Sequence, residues 1–244
     1  MTTEQLRHRM PPILKALKER SLRGRTPVEG LRRTECAYHG WDTVHADAAS
    51  WEPFAPGDAF GGLEAHHCFK GTVTLPEASA GKRVVCLVST GASDIWNNNN
   101  PQFLAYVDGR LVCGLDVNHN EFDLAACAVP GESHELALHV YCNTPARDVF
   151  LRVETAERDD DVTGLYYDLR APYEVCALLA DDDTRAIGIM KHLNRALNLL
   201  DLRDLDSGAF AQSVRDAREY LRTEFYDGFC GRTDAPAACA GHTH

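Results

Sequence analysis

The sequence predicts a mainly β protein with flanking helices, an antiparallel β-sandwich followed by a helical connector. Three observations carry this. Between about residues 67 and 158, seven short runs rich in β-branched and aromatic residues alternate with turn residues. Asp108-Gly109 separates Tyr106-Val107 from Arg110-Leu111-Val112, and a type I′ hairpin turn needs positive φ at both of its central positions. After residue 180, apolar residues recur every three or four positions in two successive segments. Short strands separated by turns at this spacing indicate a sandwich.

Taken in chain order, Leu6, Met10, Ile13, Leu14 and Leu17 are spaced as on a helix, interrupted by Pro11-Pro12, which predicts one kinked helix or two short ones. In residues 23–66, Tyr38, Trp41, Trp51, Phe54 and Phe60 mix with prolines and glycines, a composition of ordered loops, with one strand near 35–44. The β-rich runs are Phe69–Leu75, Arg83–Thr90, Phe103–Val107, Leu111–Cys113, Asn120–Leu124, Glu135–Cys142 and Val149–Thr155. Residues 159–180 read as transitional. Asp181-Asp182-Asp183 then offers an N-cap to a helix striped with Met190, Leu193, Leu197 and Leu200. Ser207 caps a second, striped with Phe210, Val214, Ala217, Leu221 and Phe225 and closed by Cys230-Gly231. The expected domains are therefore a basic helical arm at 1–33, a sandwich at 34–158, a helical connector at 159–234 and one strand at 235–244. The apolar stripes of the two late helices require a partner surface.

Composition narrows the function classes. The chain has 244 residues, of which 44% are hydrophobic and 25% charged, which excludes a disordered, collagen-like or membrane-spanning chain. A net charge of −11 argues against nucleic acid or an anionic membrane as the main partner. Residues 1–33 carry +6 of local charge against −17 for the remainder, the pattern of a basic helix that docks on an acidic body. Nine cysteines without CxxC spacing fit reduced, buried thiols and a reducing compartment. The N-terminus lacks the apolar core of a secretion signal, so the expected location is the cytoplasm.

Phosphate-binding glycine loops, a nucleophile elbow, a His-Glu-x-x-His helix and paired CxxC are absent from the sequence. Two polar clusters remain. Gly114–Glu121 contains Asp116, Asn118 and His119; these suit sugar hydroxyls, and equally an Asx-type turn. Trp96 and Asn97–Asn100 pair an indole for stacking with amides for hydrogen bonding, or form a long turn before Pro101. The carbohydrate-binding candidates are thus Trp96, Asn98, Asp116, Asn118 and His119. His66-His67 precedes a strand, where adjacent side chains face opposite ways and do not share one metal. His242 and His244 share a face if the last residues are extended, but two imidazoles do not complete a zinc site.

Several segments in order resemble the N-terminal part of the zinc-dependent α-mannosidases of glycoside hydrolase family 38. They are Phe69–Pro76, Asn100–Gly109, Gly114–His119, Leu165–Leu169, Leu193–Arg203 and the terminal Ala240-Gly241-His242-Thr243-His244. The resemblance implies a sandwich of the galactose-binding-like, jelly-roll kind. It also implies that residues 235–244 open the catalytic barrel, with His244 as a zinc ligand. The other zinc ligands and the aspartate nucleophile lie further along in that family. Retaining glycoside hydrolysis needs a nucleophilic carboxylate and a second acid/base group about one anomeric carbon, so the expectation is an accessory and structural part that is catalytically incomplete. The full-length relative would bind Zn²⁺ and hydrolyse terminal α-mannosides. Expected partners are α-mannosides, other subunits or the catalytic domain. The alternative is a stand-alone carbohydrate-binding sandwich.

Overall fold

The structure, a computed structural model, describes residues 3–38, 40–91, 101–180 and 182–231. The chain divides into two compact units, one of residues 23–158 and one that joins residues 1–22 to the chain from residue 159 onward.

The first unit is an antiparallel β-sandwich. One sheet has four strands in the order β1 (Leu22–Pro27), β10 (Arg152–Arg158), β5 (Arg83–Ser89) and β8 (Glu121–Ala125). The other has six, in the order β3 (Glu52–Pro53), β2 (Arg32–Glu35), β4 (Ala59–Thr74), β9 (Ser133–Phe150), β6 (Gln102–Val107) and β7 (Arg110–Leu115). Side chains alternate across each strand, so Leu136, Leu138, Val140 and Cys142 of β9 enter the core together with Val84, Cys86 and Val88 of β5. Phe54, Phe60 and Phe69 pack edge to face there, with centroids 4.9 to 6.3 Å apart. The Asp108-Gly109 turn has φ of 49° and 73°, as the hairpin reading requires. Asp108 Oδ1 also accepts from the Glu135 amide at 2.9 Å.

Against the outer face of the six-stranded sheet lies the five-residue helix α2 (Trp41–His45). A small apolar cluster of Val44, Cys68, Tyr106 and Ala137 seats it, with Cys36 and Trp51 at its edge. This corrects the expectation of a strand through 35–44. That strand ends at Glu35, because Gly40 and the side chains that follow pack as a helical turn over the sheet.

The second unit is helical. Helix α1 (Thr3–Arg20) holds both Pro11 and Pro12 inside one helix. It packs with α3 (Asp160–Cys176) and α4 (Thr184–Leu199); α5 (Gly208–Tyr220) packs on α3 and α4, and a π-helical stretch, Leu221–Cys230, packs on α4. The two late stripes are buried here: Leu193, Leu197, Phe210, Val214, Leu221 and Phe225 meet Leu6, Met10 and Leu17 of α1 and Leu165 and Leu169 of α3. The partner surface they need is therefore within the chain. Asp183 and Ser207 act as N-caps, accepting from Arg185 N and Phe210 N. Arg9 donates to Asn194 and Asn198, and Arg20 pairs with Asp206 at 2.9 Å.

Two domain boundaries shift. The arm at 1–33 is helical only to Arg20, and 22–27, mostly exposed, and 32–35, mostly half-buried, are strands whose largely polar residues carry no apolar alternation. Residues 159–180 contain a 17-residue helix, capped by Asp159 accepting from Val162 N, with Pro172 inside it. The expected strand at 235–244 lies outside the described residues. No described helix is long and apolar enough to cross a membrane.

Candidate functional site

The outer face of the six-stranded sheet forms the floor of an open cleft of about 1320 Å³. Strand alternation explains its lining. Because Leu138 and Val140 point into the core, His139 and Tyr141 point outward; likewise Phe103 and Ala105 are core residues, and Gln102, Leu104 and Tyr106 face the cleft. On β4, register shifts at Phe60–Gly62 and Gly62–Ala65 turn the strand. Gly61 and Gly62 have φ of 132° and 127°, and a Cβ on Gly61 would come within 2.6 Å of Ala146 O, so the bulge requires glycine. Past it, Glu64 adopts φ 51°, uncommon for a side-chain-bearing residue, and both Glu64 and His66 line the cleft.

The walls are α2 and the loop after β7. Three contacts hold α2. Gly40 packs so closely that a Cβ there would stand 2.9 Å from His139 Cδ2. Buried Lys70 Nζ donates to Ala46 O at the helix C-cap at 2.8 Å and pairs with Glu135 at 3.1 Å. The His45 ring lies between Trp41 O (2.8 Å) and Gly109 O (2.9 Å), tying the helix to the β6–β7 turn. Trp41 rests on His45 with centroids 4.2 Å apart and meets Tyr106 edge-on at 6.2 Å, yet it is 55% exposed, and Tyr38 is 72% exposed.

On the floor, His66 Nδ1 and His139 Nε2 share a hydrogen bond of 3.2 Å between stacked rings. Burial lowers the pKa of both rings, and the His66 charge lowers that of His139 further. One nitrogen donates and the other accepts, so their electron pairs do not converge on a common point. The pair is thus a hydrogen bond and not a chelate. Burial also pushes Cys36 up to about 11 and Cys68 to about 12, which keeps both as thiols. Among the described residues, no group of three or more His, Cys, Asp or Glu is arranged to hold a metal ion.

The sequence candidates divide. Asp116 and His119 line the cleft. The same Asp116 also makes the Asx turn: Oδ1 accepts from the Asn118 and His119 amides at 2.7 Å each. The His119 amide, followed by Asn118, holds its carboxyl below the usual carboxylate range. Asn118 contributes its backbone to that turn and is not among the described lining residues. Trp96, Asn98 and His244 lie outside the described residues. Sequence reasoning missed Tyr38, Trp41, His66 and His139. His66 and His139 are separated by 73 positions, and only the pairing of Cys68 with His139 brings them together. The available signal was a histidine at an outward position of each of two adjacent strands.

No protein-family model matches the chain, and no curated protein matches it. Among solved structures, it is similar over 56% of its length to the β-glucuronidase of Ruminococcus gnavus in complex with D-glucuronic acid, at 9% identity and a TM-score of 0.42, covering 30% of that chain. The β-glucuronidase of Faecalibacterium prausnitzii is similar over 57% at 14% identity and a TM-score of 0.38, covering 32% of that chain. For the Bacteroides uniformis β-glucuronidase the values are 55%, 11% and 0.41, covering 18% of that chain. The chain therefore spans less than a third of these enzymes, and a likeness of this order carries no argument about activity.

Proposed function

We propose that this chain is the N-terminal accessory and structural part of an α-mannosidase of the family 38 type, and does not itself hydrolyse mannosides. The single observation behind this reading is the order of the resembling segments. They run through β4, the β6–β7 hairpin, the Asp116 loop, α3 and α4, and end at His244. In an enzyme of that family, His244 would be one of several Zn²⁺ ligands; the described residues form no metal cluster of their own. Cys36, Cys68, Cys86, Cys113, Cys127 and Cys142 are free thiols, which suits a reducing, cytoplasmic setting. Partners on this reading are the catalytic domain, other subunits and α-mannosides.

The test is turnover of an aryl α-mannoside, with and without Zn²⁺, by this 244-residue chain and by the longer product of the same reading frame. The longer product should turn over and the present chain should not. Turnover by the present chain that is lost in His244→Ala would overturn the proposal. So would a longer product that cleaves an aryl β-glucuronide and leaves the α-mannoside intact.

A further inference from the structure

The outer-face cleft carries no established role, and its lining defines a ligand chemistry. Trp41 offers an exposed aromatic surface on a helix fixed by Gly40, Lys70 and His45. Sugar rings present apolar C–H faces to such surfaces and hydroxyls to polar groups around them. The polar groups here are of both hydrogen-bonding kinds. Asp116 and Glu64 are acceptors, Gln102 is both donor and acceptor, and the His66–His139 pair leaves His66 Nε2 beyond its shared bond.

The sign of the lining selects further. Two carboxylates line the cleft, and no Lys or Arg does among the described residues. The two imidazoles on the floor are desolvated and so stay uncharged at neutral pH. A uronate, a sugar phosphate or a nucleotide would bring negative charge beside Glu64 and Asp116, with no Lys or Arg among the described lining residues to receive it. The volume exceeds the range of about 300–1,000 Å³ usual for a drug-sized ligand, which favours more than one ring.

We propose that this cleft binds a short, neutral oligosaccharide, with one pyranose stacked on Trp41 and its hydroxyls held by Asp116, Glu64, Gln102 and the His66–His139 pair. The inference deepens the accessory-domain reading by giving that domain a ligand. It stands apart from the choice of reaction, because it requires neutrality of the sugar and not hydrolysis of a mannoside.

Isothermal titration of the full chain with α-mannotriose, and with neutral β-galactobiose, glucuronate and mannose 6-phosphate, tests it. Saturable heat is expected from at least one neutral sugar and none from the two anions. Trp41→Ala should weaken binding at least tenfold and Trp41→Phe by less than threefold, with both variants melting within a few degrees of the parent. Equal binding of glucuronate, silence from both neutral sugars, or full affinity in Trp41→Ala would overturn the inference. Trp41-dependent binding alongside a longer product inert toward α-mannosides would instead remove only the mannosidase assignment.

Discussion

His66 Nδ1 stands 3.2 Å from His139 Nε2 although the two residues are separated by 73 positions in the chain. Buried His67, adjacent to His66, points to the other face, where its Nε2 donates to Gly61 O at 3.1 Å and its Nδ1 has no partner among the described residues. All three rings have pKa values lowered first by burial. The folded chain therefore holds fewer protons on them than the unfolded chain does. Their contribution to stability is complete above the ordinary value of 6.5 and is lost as pH falls below it, toward the lowered folded values. Urea midpoints should thus fall between pH 7.5 and pH 5.5, before the carboxylates Asp108 and Asp116 titrate. An unchanged midpoint across that interval would contradict the neutral cluster.

Gly40→Ala tests the seating of α2. The new Cβ would stand 2.9 Å from His139 Cδ2 and 3.0 Å from Nε2, so helix or ring must move, at a cost of about 1–3 kcal/mol. Gly114→Ala on the same cleft is the control, since its nearest neighbour would be 3.8 Å away. Chemical denaturation should separate the two variants clearly.

Phe69 is fully buried between Phe54 and Phe60. Phe69→Ala removes an aromatic side chain from the sandwich core and should destabilise it by about 3–5 kcal/mol, read as a shift in the urea midpoint. Loss of less than about 1 kcal/mol would mean that the three rings do not form a close-packed core.

Much of the fold is legible in the sequence wherever one face of an element is apolar. The runs at 83–90, 103–107 and 120–124 alternate or are continuously apolar, and they are strands; the stripes of α4 and α5 are buried as their spacing requires. Elements without that contrast escape notice. Strand β1 is Leu-Arg-Gly-Arg-Thr-Pro, exposed along nearly its whole length, and α3 mixes an acidic start with Pro172, so that its Leu165 and Leu169 do not stand out. The cleft is harder still, because α2 has only five residues and its histidines come together through strand pairing. The Asp116 loop was readable as turn or ligand loop, and its geometry provides the turn while its side chain also reaches the cleft wall.

Asp116→Ala removes an acceptor shared by two backbone amides and should destabilise the sandwich by about 1–2 kcal/mol. Asp116→Asn keeps a carbonyl oxygen in the same place and should recover most of that loss. Amide exchange at Asn118 and His119 reports the turn directly, and protection that survives in Asp116→Ala would contradict it.

Thiol labelling checks the burial of the cysteines. Cys127 is exposed, whereas burial pushes Cys86 up to about 12 and Cys142 to about 11. At pH 8, Cys127 should react with an aromatic disulfide reagent ahead of the other described cysteines, and Cys68, Cys86 and Cys142 only on unfolding. Rapid labelling of Cys86 would contradict the packed core.

The outer-face cleft as a saccharide site is tested most directly by adding α-mannotriose to the isotope-labelled chain and following its amide and indole resonances. Shifts should appear at the Trp41 indole and at Gly40, Gly114 and His119, and leave Leu193 and Val214 in the helical unit unmoved. Shifts confined to the helical unit, or none at saturating sugar, would contradict the account.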